Sequence, residues 1–355
     1  MASPTPEVIK IETDDHFTIL LTRYYKTGKN SEGPNSKGPV LLVHGGSVGS
    51  QMYTISTTDQ SLAAYLHEHG FDVWMIDWRV SINLPLRPCT LTDAAQFDFP
   101  EALEVIRGKT PRKSIRAVVH CIGALAFFVS VQRGWVTGVE AIASSAVGLH
   151  PIVGTVERAK TAIRLAALLA DRFHMTEVSP LEDPMYPLYS IVVRALVNSV
   201  HHECTSTICH KLTFMYGHPF LHKVLNVETH ERLAEQFGPI NLKTLMHVEQ
   251  CINLGHMADY SYGIAGNLDK YGAEGPPSFV DDASKFKDVK VSLFSGEFNQ
   301  LFIPESTLAT FKWLKKHNQF GAYHRELIPG YGHWDVFAGA KSKNNCYRYY
   351  LEALS

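Results

Sequence analysis

Residues 114–128, SIRAVVHCIGALAFF, limit the possible folds of this chain more than any other stretch. A short apolar run at 115–119 reads as a buried strand. It meets the turn His120-Cys121-Ile122-Gly123-Ala124, and an apolar helix leaves at once. A strand that turns this sharply into a helix holds the residue at its tip above the end of a parallel sheet, as the G-x-S-x-G turn does. Cys121 occupies the tip, and Val119 stands where the first glycine of that pattern sits. Gly123 keeps the small residue that lets the helix pack behind the turn. The alternative is an ordinary strand–helix junction around a buried cysteine, a residue type often found inside.

The rest of the chain alternates in step with this turn. Residues 7–12 and 17–25 read as two strands around Asp14-Asp15-His16, and 26–37 as a surface loop. A buried strand at 39–43 runs into His44-Gly45-Gly46-Ser47-Val48-Gly49-Ser50. This glycine-rich turn lacks the Lys-Ser/Thr of a phosphate loop and the spacing of a dinucleotide fingerprint. It is either a plain strand exit or a loop that aims backbone N–H groups at a developing oxyanion, and the second reading pairs with the turn at Cys121. A helix at 61–69 ends at Gly70, a strand follows at 71–78, a helix at 97–108 and a further strand at 139–143. Repeated Val/Ile-rich strands between helices predict a mostly parallel sheet covered by helices on both faces.

The alternation breaks over 149–285, which reads as helical (156–172, 188–197 and 218–237) and is rich in Met, His and aromatic residues. It resumes with a strand at 289–295, a helix at 305–316, a strand at 323–328, the loop Pro329-Gly330-Tyr331-Gly332-His333-Trp334-Asp335 and a helix at 344–354. This divides the chain into a core of 1–148 and 286–355 and a helical cap of 149–285 placed over the site. A separate helical domain is the alternative.

Several segments together resemble a known family: VVHCIGA at 118–124, SSAVGLHP at 144–151, ECTSTICHKLTFMYG at 203–217, NQLFIPEST at 299–307 and IPGYGHWD at 328–335. They are similar to the α/β-hydrolase domain fused behind flavin alcohol oxidases of the cholesterol-oxidase type. The free-standing form with cysteine at the turn also resembles the stand-alone thiohydrolases and lactone-forming cyclases of fungal polyketide pathways. The resemblance implies an α/β-hydrolase fold with a nucleophile, an acid and a histidine in that chain order. Cys121 is then the nucleophile, His333 the general base, and the N–H groups of Ile122 and of Gly46 or Ser47 the oxyanion hole. The position three residues past Gly296 in the acid loop holds Asn299. Asparagine orients the histidine in papain-like cysteine enzymes. Glu297 is the alternative acid, and Asn299 also reads as an Asx turn. Asp335 lies too close in the chain to His333 to serve.

Cysteine at the start of a helix is favoured as thiolate by the macrodipole and free N–H groups, and His333 would complete an ion pair. Attack by a thiol on a thioester trades like for like, whereas attack on an unactivated ester is uphill. The expected substrate is therefore an acyl or polyketide thioester, with a polyketide synthase acyl carrier protein as a partner, released by water or by its own hydroxyl as a lactone. An esterase or lactonase acting on a small activated ester is one rival. A catalytically silent binding module of the same fold is the other. Phe214, Met215, Tyr216, Phe220 and Met257 are candidates for the acyl-chain wall, each with cap packing as its alternative.

Composition excludes other classes. A net charge of −2 over 355 residues gives no reason to expect nucleic acid or an anionic membrane as partner. No apolar run reaches the ~20 residues needed to cross a bilayer. The polar, acidic N-terminal stretch reads as neither signal nor transit peptide, so the expected location is cytoplasmic and the six cysteines are expected as thiols. Cys204, Cys209 and His210 form C-x4-C-H without a second ligand pair at zinc spacing, so neither metal nor cofactor is expected.

Overall fold

The computed structural model describes residues 6–24, 37–181, 204–261 and 275–355. The expected helix at 188–197 lies outside them, as does most of the expected loop at 26–37.

Eight strands form one sheet: β1 (Glu7–Glu12), β2 (Thr18–Arg23), β3 (Gly38–Val43), β4 (Phe71–Asp77), β5 (Ile115–His120), β6 (Val139–Ser145), β9 (Lys290–Gly296) and β10 (Tyr323–Ile328). Their spatial order is β1-β2-β4-β3-β5-β6-β9-β10. The hairpin β1–β2 is antiparallel and adds antiparallel to β4, while every other pair is parallel. A separate antiparallel pair, β7 (Glu177–Val178) and β8 (Ile240–Asn241), belongs to the inserted segment.

Every residue of β3 and β4 is buried, as a strand covered on both faces requires. Leu41, Val43, Trp74, Ile76, Ala117 and Val119 point to one face. There they meet helices α2 (Phe99–Lys109) and α3 (Cys121–Gln132). Val40, Leu42, Val73, Met75 and Val118 point to the other, against α1 (Leu62–Glu68) and α9 (Tyr347–Leu354). This two-residue alternation sorts side chains onto opposite faces. The buried guanidinium of Arg79 ties the loop after β4 to this frame through Asp98 and Asp15.

The inserted segment differs from the expectation in detail. The helix expected at 156–172 is two, α4 (Thr155–Ala162) and α5 (Leu165–Phe173), broken where Arg164 takes a left-handed conformation (φ 52°). Residues 218–237 form no continuous helix, because Gly217 and Pro219 open the stretch and only short turns follow. The long helices here are α6 (Thr207–Tyr216) and α7 (Leu242–Leu254), started by the side chains of Ser206 and Asn241. The core helix α8 (Glu305–His317) connects β9 to β10 and packs against both strands. Among the described residues no helix is long and apolar enough to cross a membrane.

Candidate active site

The tip of the β5–α3 turn is strained. Cys121 has φ 56°, a conformation that costs a residue with a Cβ energy and persists only where its surroundings impose it. Gly123 makes the turn possible: a Cβ there would lie 2.1 Å from the carbonyl oxygen of His44. The backbone N–H groups of Gly46 and Ile122 face the thiol of Cys121 and favour its charged form. Of the two candidates on the first loop, it is thus Gly46 that faces the sulfur. Ser47, also left-handed (φ 57°), turns its hydroxyl to the Tyr216 hydroxyl at the end of α6.

His333 arrives on the loop after β10. Its Nδ1 lies 3.1 Å from Asn299 Oδ1, and a ring nitrogen lies within 4.8 Å of the Cys121 sulfur. With Nδ1 on Asn299, Nε2 is the nitrogen left for the thiol; it is buried and has no hydrogen-bond partner among the described residues. Gly296 lets the two loops meet, since a Cβ there would stand 2.0 Å from the carbonyl oxygen of Gly332. Glu297, the alternative acid, is exposed and accepts from the N–H of Gly330 at 3.0 Å. The Asp335 carboxylate accepts from the N–H of Gly332, at 3.0 and 3.1 Å to its two oxygens, and so shapes the loop that carries His333.

We expect Asn299→Ala to lower turnover by about 10²-fold or less, the low end of what losing a base costs. Glu297→Ala should stay near wild type. Steady-state kinetics of both variants check this, and a larger loss for Glu297→Ala would move the assignment to that residue.

The electrostatics correct one expectation. Burial pushes the Cys121 thiol up to about 11, against the pull of the two N–H groups. Burial likewise brings the His333 imidazole down to about 3. Both shifts favour a neutral thiol beside a neutral imidazole at rest, the apolar surroundings opposing the helix terminus. Alkylation of Cys121 by iodoacetamide should rise about tenfold per pH unit through the neutral range, following the thiolate fraction. Because the folded His333 stays unprotonated far below 6.5, kcat/KM should show no acid limb near that value. A plateau of alkylation below pH 7 would restore the ion pair.

One histidine escaped the sequence reading. His120 ends β5 buried, with its ring centroid 4.5 Å from that of His333 and its Nδ1 3.2 Å from Ser145 Oγ, which accepts from the Tyr350 hydroxyl at 3.1 Å. Its signal was a polar residue closing the apolar run Ala117-Val118-Val119.

Above Cys121 opens a cavity of about 610 Å³, walled mainly by apolar side chains of 153–252 and 301–302. Phe214, Met215 and Tyr216 line it. Phe220 and Met257 do not. Phe220 packs against Trp334, and Met257 is fully buried where its N–H donates to the Leu149 carbonyl. Glu157, Lys160, Thr161 and Glu249 are polar points in the wall. The C-x4-C-H reading also changes. His210 Nε2 donates to the Cys204 carbonyl at 2.7 Å, while Cys204 and Cys209 lie beside His222 and His230.

Comparison with solved structures settles the architecture. A soluble variant of the monoglyceride lipase of Saccharomyces cerevisiae, solved with a substrate analog, superposes with a TM-score of 0.60 at 12% identity, covering 100% of this chain and 96% of that one. The chain has the α/β-hydrolase fold. By sequence it is similar to Triacylglycerol lipase 1 of Arabidopsis thaliana, 26% identical over 291 residues, which are 76% of this chain and 68% of the plant protein. It is also similar to Lipase lipl-3 of Caenorhabditis elegans, 21% identical over 360 residues, 96% of this chain and 86% of the nematode one. No family model matches the chain.

Proposed function

We propose that this α/β-hydrolase chain is a cysteine-dependent acyl hydrolase or acyltransferase that takes a long, apolar acyl or polyketide thioester. The observation that carries the reading is the Cys121 sulfur at the floor of the apolar cavity, on two backbone donors and beside an imidazole held by Asn299. The sulfur attacks the acyl carbonyl while His333 Nε2 takes the thiol proton. The N–H groups of Gly46 and Ile122, fixed before reaction, then stabilise the oxyanion. Return of the proton from His333 releases the leaving thiol and leaves an acyl-Cys121 thioester. Water, or a hydroxyl of the acyl chain itself, attacks next with His333 again as base. The acyl-enzyme keeps the reactivity of a thioester, which lets a well-placed hydroxyl compete with water. Holding that hydroxyl in place can contribute ~7–11 kcal/mol in the best intramolecular cases.

A second reading, an esterase acting on an apolar oxyester, is favoured by the names of the sequence relatives, which are lipases. One experiment separates the two. Hydroxyacyl thioesters, free and tethered to an acyl carrier protein, are turned over beside the matching oxyesters, with product mass and the intact mass of the protein recorded. Thioesters should be preferred, with an acyl adduct on Cys121. Preference for oxyesters moves the chain to the second reading, and no adduct from either class leaves a binding module. Phe214→Ala and Met215→Ala, if folded, should shift product from lactone toward acid. A change in rate at a constant ratio would mean the acceptor is chosen elsewhere.

A further inference from the structure

Outside the active site, a second set of side chains is arranged for a ligand. Cys204 precedes α6, Cys209 sits on its first turn, His222 opens a short turn at His222–Val224, and His230 lies in the helix Val227–Glu231. Four ligand atoms, one from each residue, all lie within 4.8 Å of one another. Cys209 Sγ and His222 Nε2 are 3.2 Å apart, and the His222 and His230 rings are 5.0 Å apart between centroids. The Nε2 of His230 is buried without a hydrogen-bond partner among the described residues. Tetrahedral zinc with bonds of ~2.3 Å to sulfur and ~2.0–2.1 Å to nitrogen sets neighbouring ligand atoms roughly 3.3–3.8 Å apart. Small side-chain rotations close the rest of that distance.

We propose that Cys204, Cys209, His222 and His230 form a structural zinc site. Two thiolates and two imidazoles select Zn²⁺ over hard cations such as Mg²⁺ or Ca²⁺, and four protein ligands leave no open position for catalysis. Binding releases the two thiol protons to solvent without any redox change. His210, through its bond to the Cys204 carbonyl, holds the loop that presents the first ligand.

The consequence lies in what the cross-link spans. It joins the start of α6 to residues 222–230, and between them lie Phe214, Met215 and Tyr216 of the cavity wall. Between them also lies Pro219, whose carbonyl accepts from the N–H of Trp334, the neighbour of His333. Thr229, next to His230, meets Thr57 of the core at 2.6 Å. The metal therefore braces the acyl-cavity wall against the loop that carries the base.

The test is metal analysis of the full-length protein purified without chelators, with cobalt substitution as a second readout. About one zinc per chain is expected, and Co²⁺ should give the visible bands of tetrahedral thiolate-ligated cobalt. Cys204→Ser and His230→Gln should each weaken retention at least ~10–100-fold. Cys121→Ala should keep the metal, which separates this site from His120, Cys121 and His333, whose ligand atoms also cluster. If a ligand variant fails to fold, the cobalt spectrum of the unaltered chain still decides. Absence of both zinc and cobalt bands would overturn the proposal. So would metal retained by the Cys204→Ser/His230→Gln double variant, metal lost with Cys121→Ala, or a Cys204–Cys209 disulfide seen by intact mass in place of the ion.

Discussion

Cys121→Ala should abolish turnover, by about 10⁴-fold or more, while leaving the fold and the cavity intact. The same change removes any acyl adduct and any stoichiometric labelling by iodoacetamide. Cys121→Ser should keep at most a trace, because the hydroxyl fits but is barely ionised and His333 must do all the activation. His333→Ala should cost about as much as losing the thiol, and the double variant little more than either single one. The reason is mutual dependence: a neutral thiol beside a neutral imidazole has no nucleophile until the proton moves between them. Single-turnover kinetics on Cys121→Ala, His333→Ala and their double variant read this directly. Additive losses would place the two residues in different steps, and undiminished turnover by Cys121→Ala would sink the mechanism.

Gly123→Ala, like Gly296→Ala, should be among the most damaging small substitutions in the described residues. The added methyl would stand 2.1 Å from the His44 carbonyl oxygen, a backbone atom, so no side-chain rotation relieves the contact. Either α3 retreats or the loop carrying Gly46 moves, and both spoil the N–H pair around the sulfur. Overpacking commonly costs 1–3 kcal/mol, and a clash with backbone should reach about 3 kcal/mol or more. Chemical denaturation gives the stability and the initial rate gives the site. A Gly123→Ala protein with unchanged stability and rate would show that the turn is looser than its geometry implies.

The centre of the sheet was legible because its strands are buried on both faces and so read as largely apolar runs, as in PVLLV at 39–43 and FDVWMID at 71–77. The site was legible where local chemistry forces a residue type. Gly123 and Gly296 allow contacts a Cβ would forbid, and Asn299 and His333 hold fixed places in loops that leave β9 and β10. What failed depends on partners distant in sequence. The break at Arg164 leaves no Pro or Gly signal, and Phe220 and Met257 look like wall residues until Trp334 and Leu149 are found against them. His222 and His230 are eight residues apart with no motif between them, and only the fold of 204–230 brings them to the two cysteines. The protonation of Cys121 also hides from the sequence. The helix terminus is visible in the letters, but the burial that overrides it is not.

The contact between Ser47 and Tyr216 reaches beyond the two residues it joins. Ser47 follows Gly46 directly, so in the proposed mechanism the loop that offers a donor to the developing oxyanion is steadied by a phenol belonging to the inserted segment. Inserted segments of such folds are commonly treated as interchangeable hoods that set substrate preference while the chemistry stays below. In this protein the hood carries one of the guy-ropes of the chemistry. A chimera that grafts a foreign insert onto 1–148 and 286–355 would lose rate even on a substrate that fits, unless it brings a hydroxyl back to Ser47.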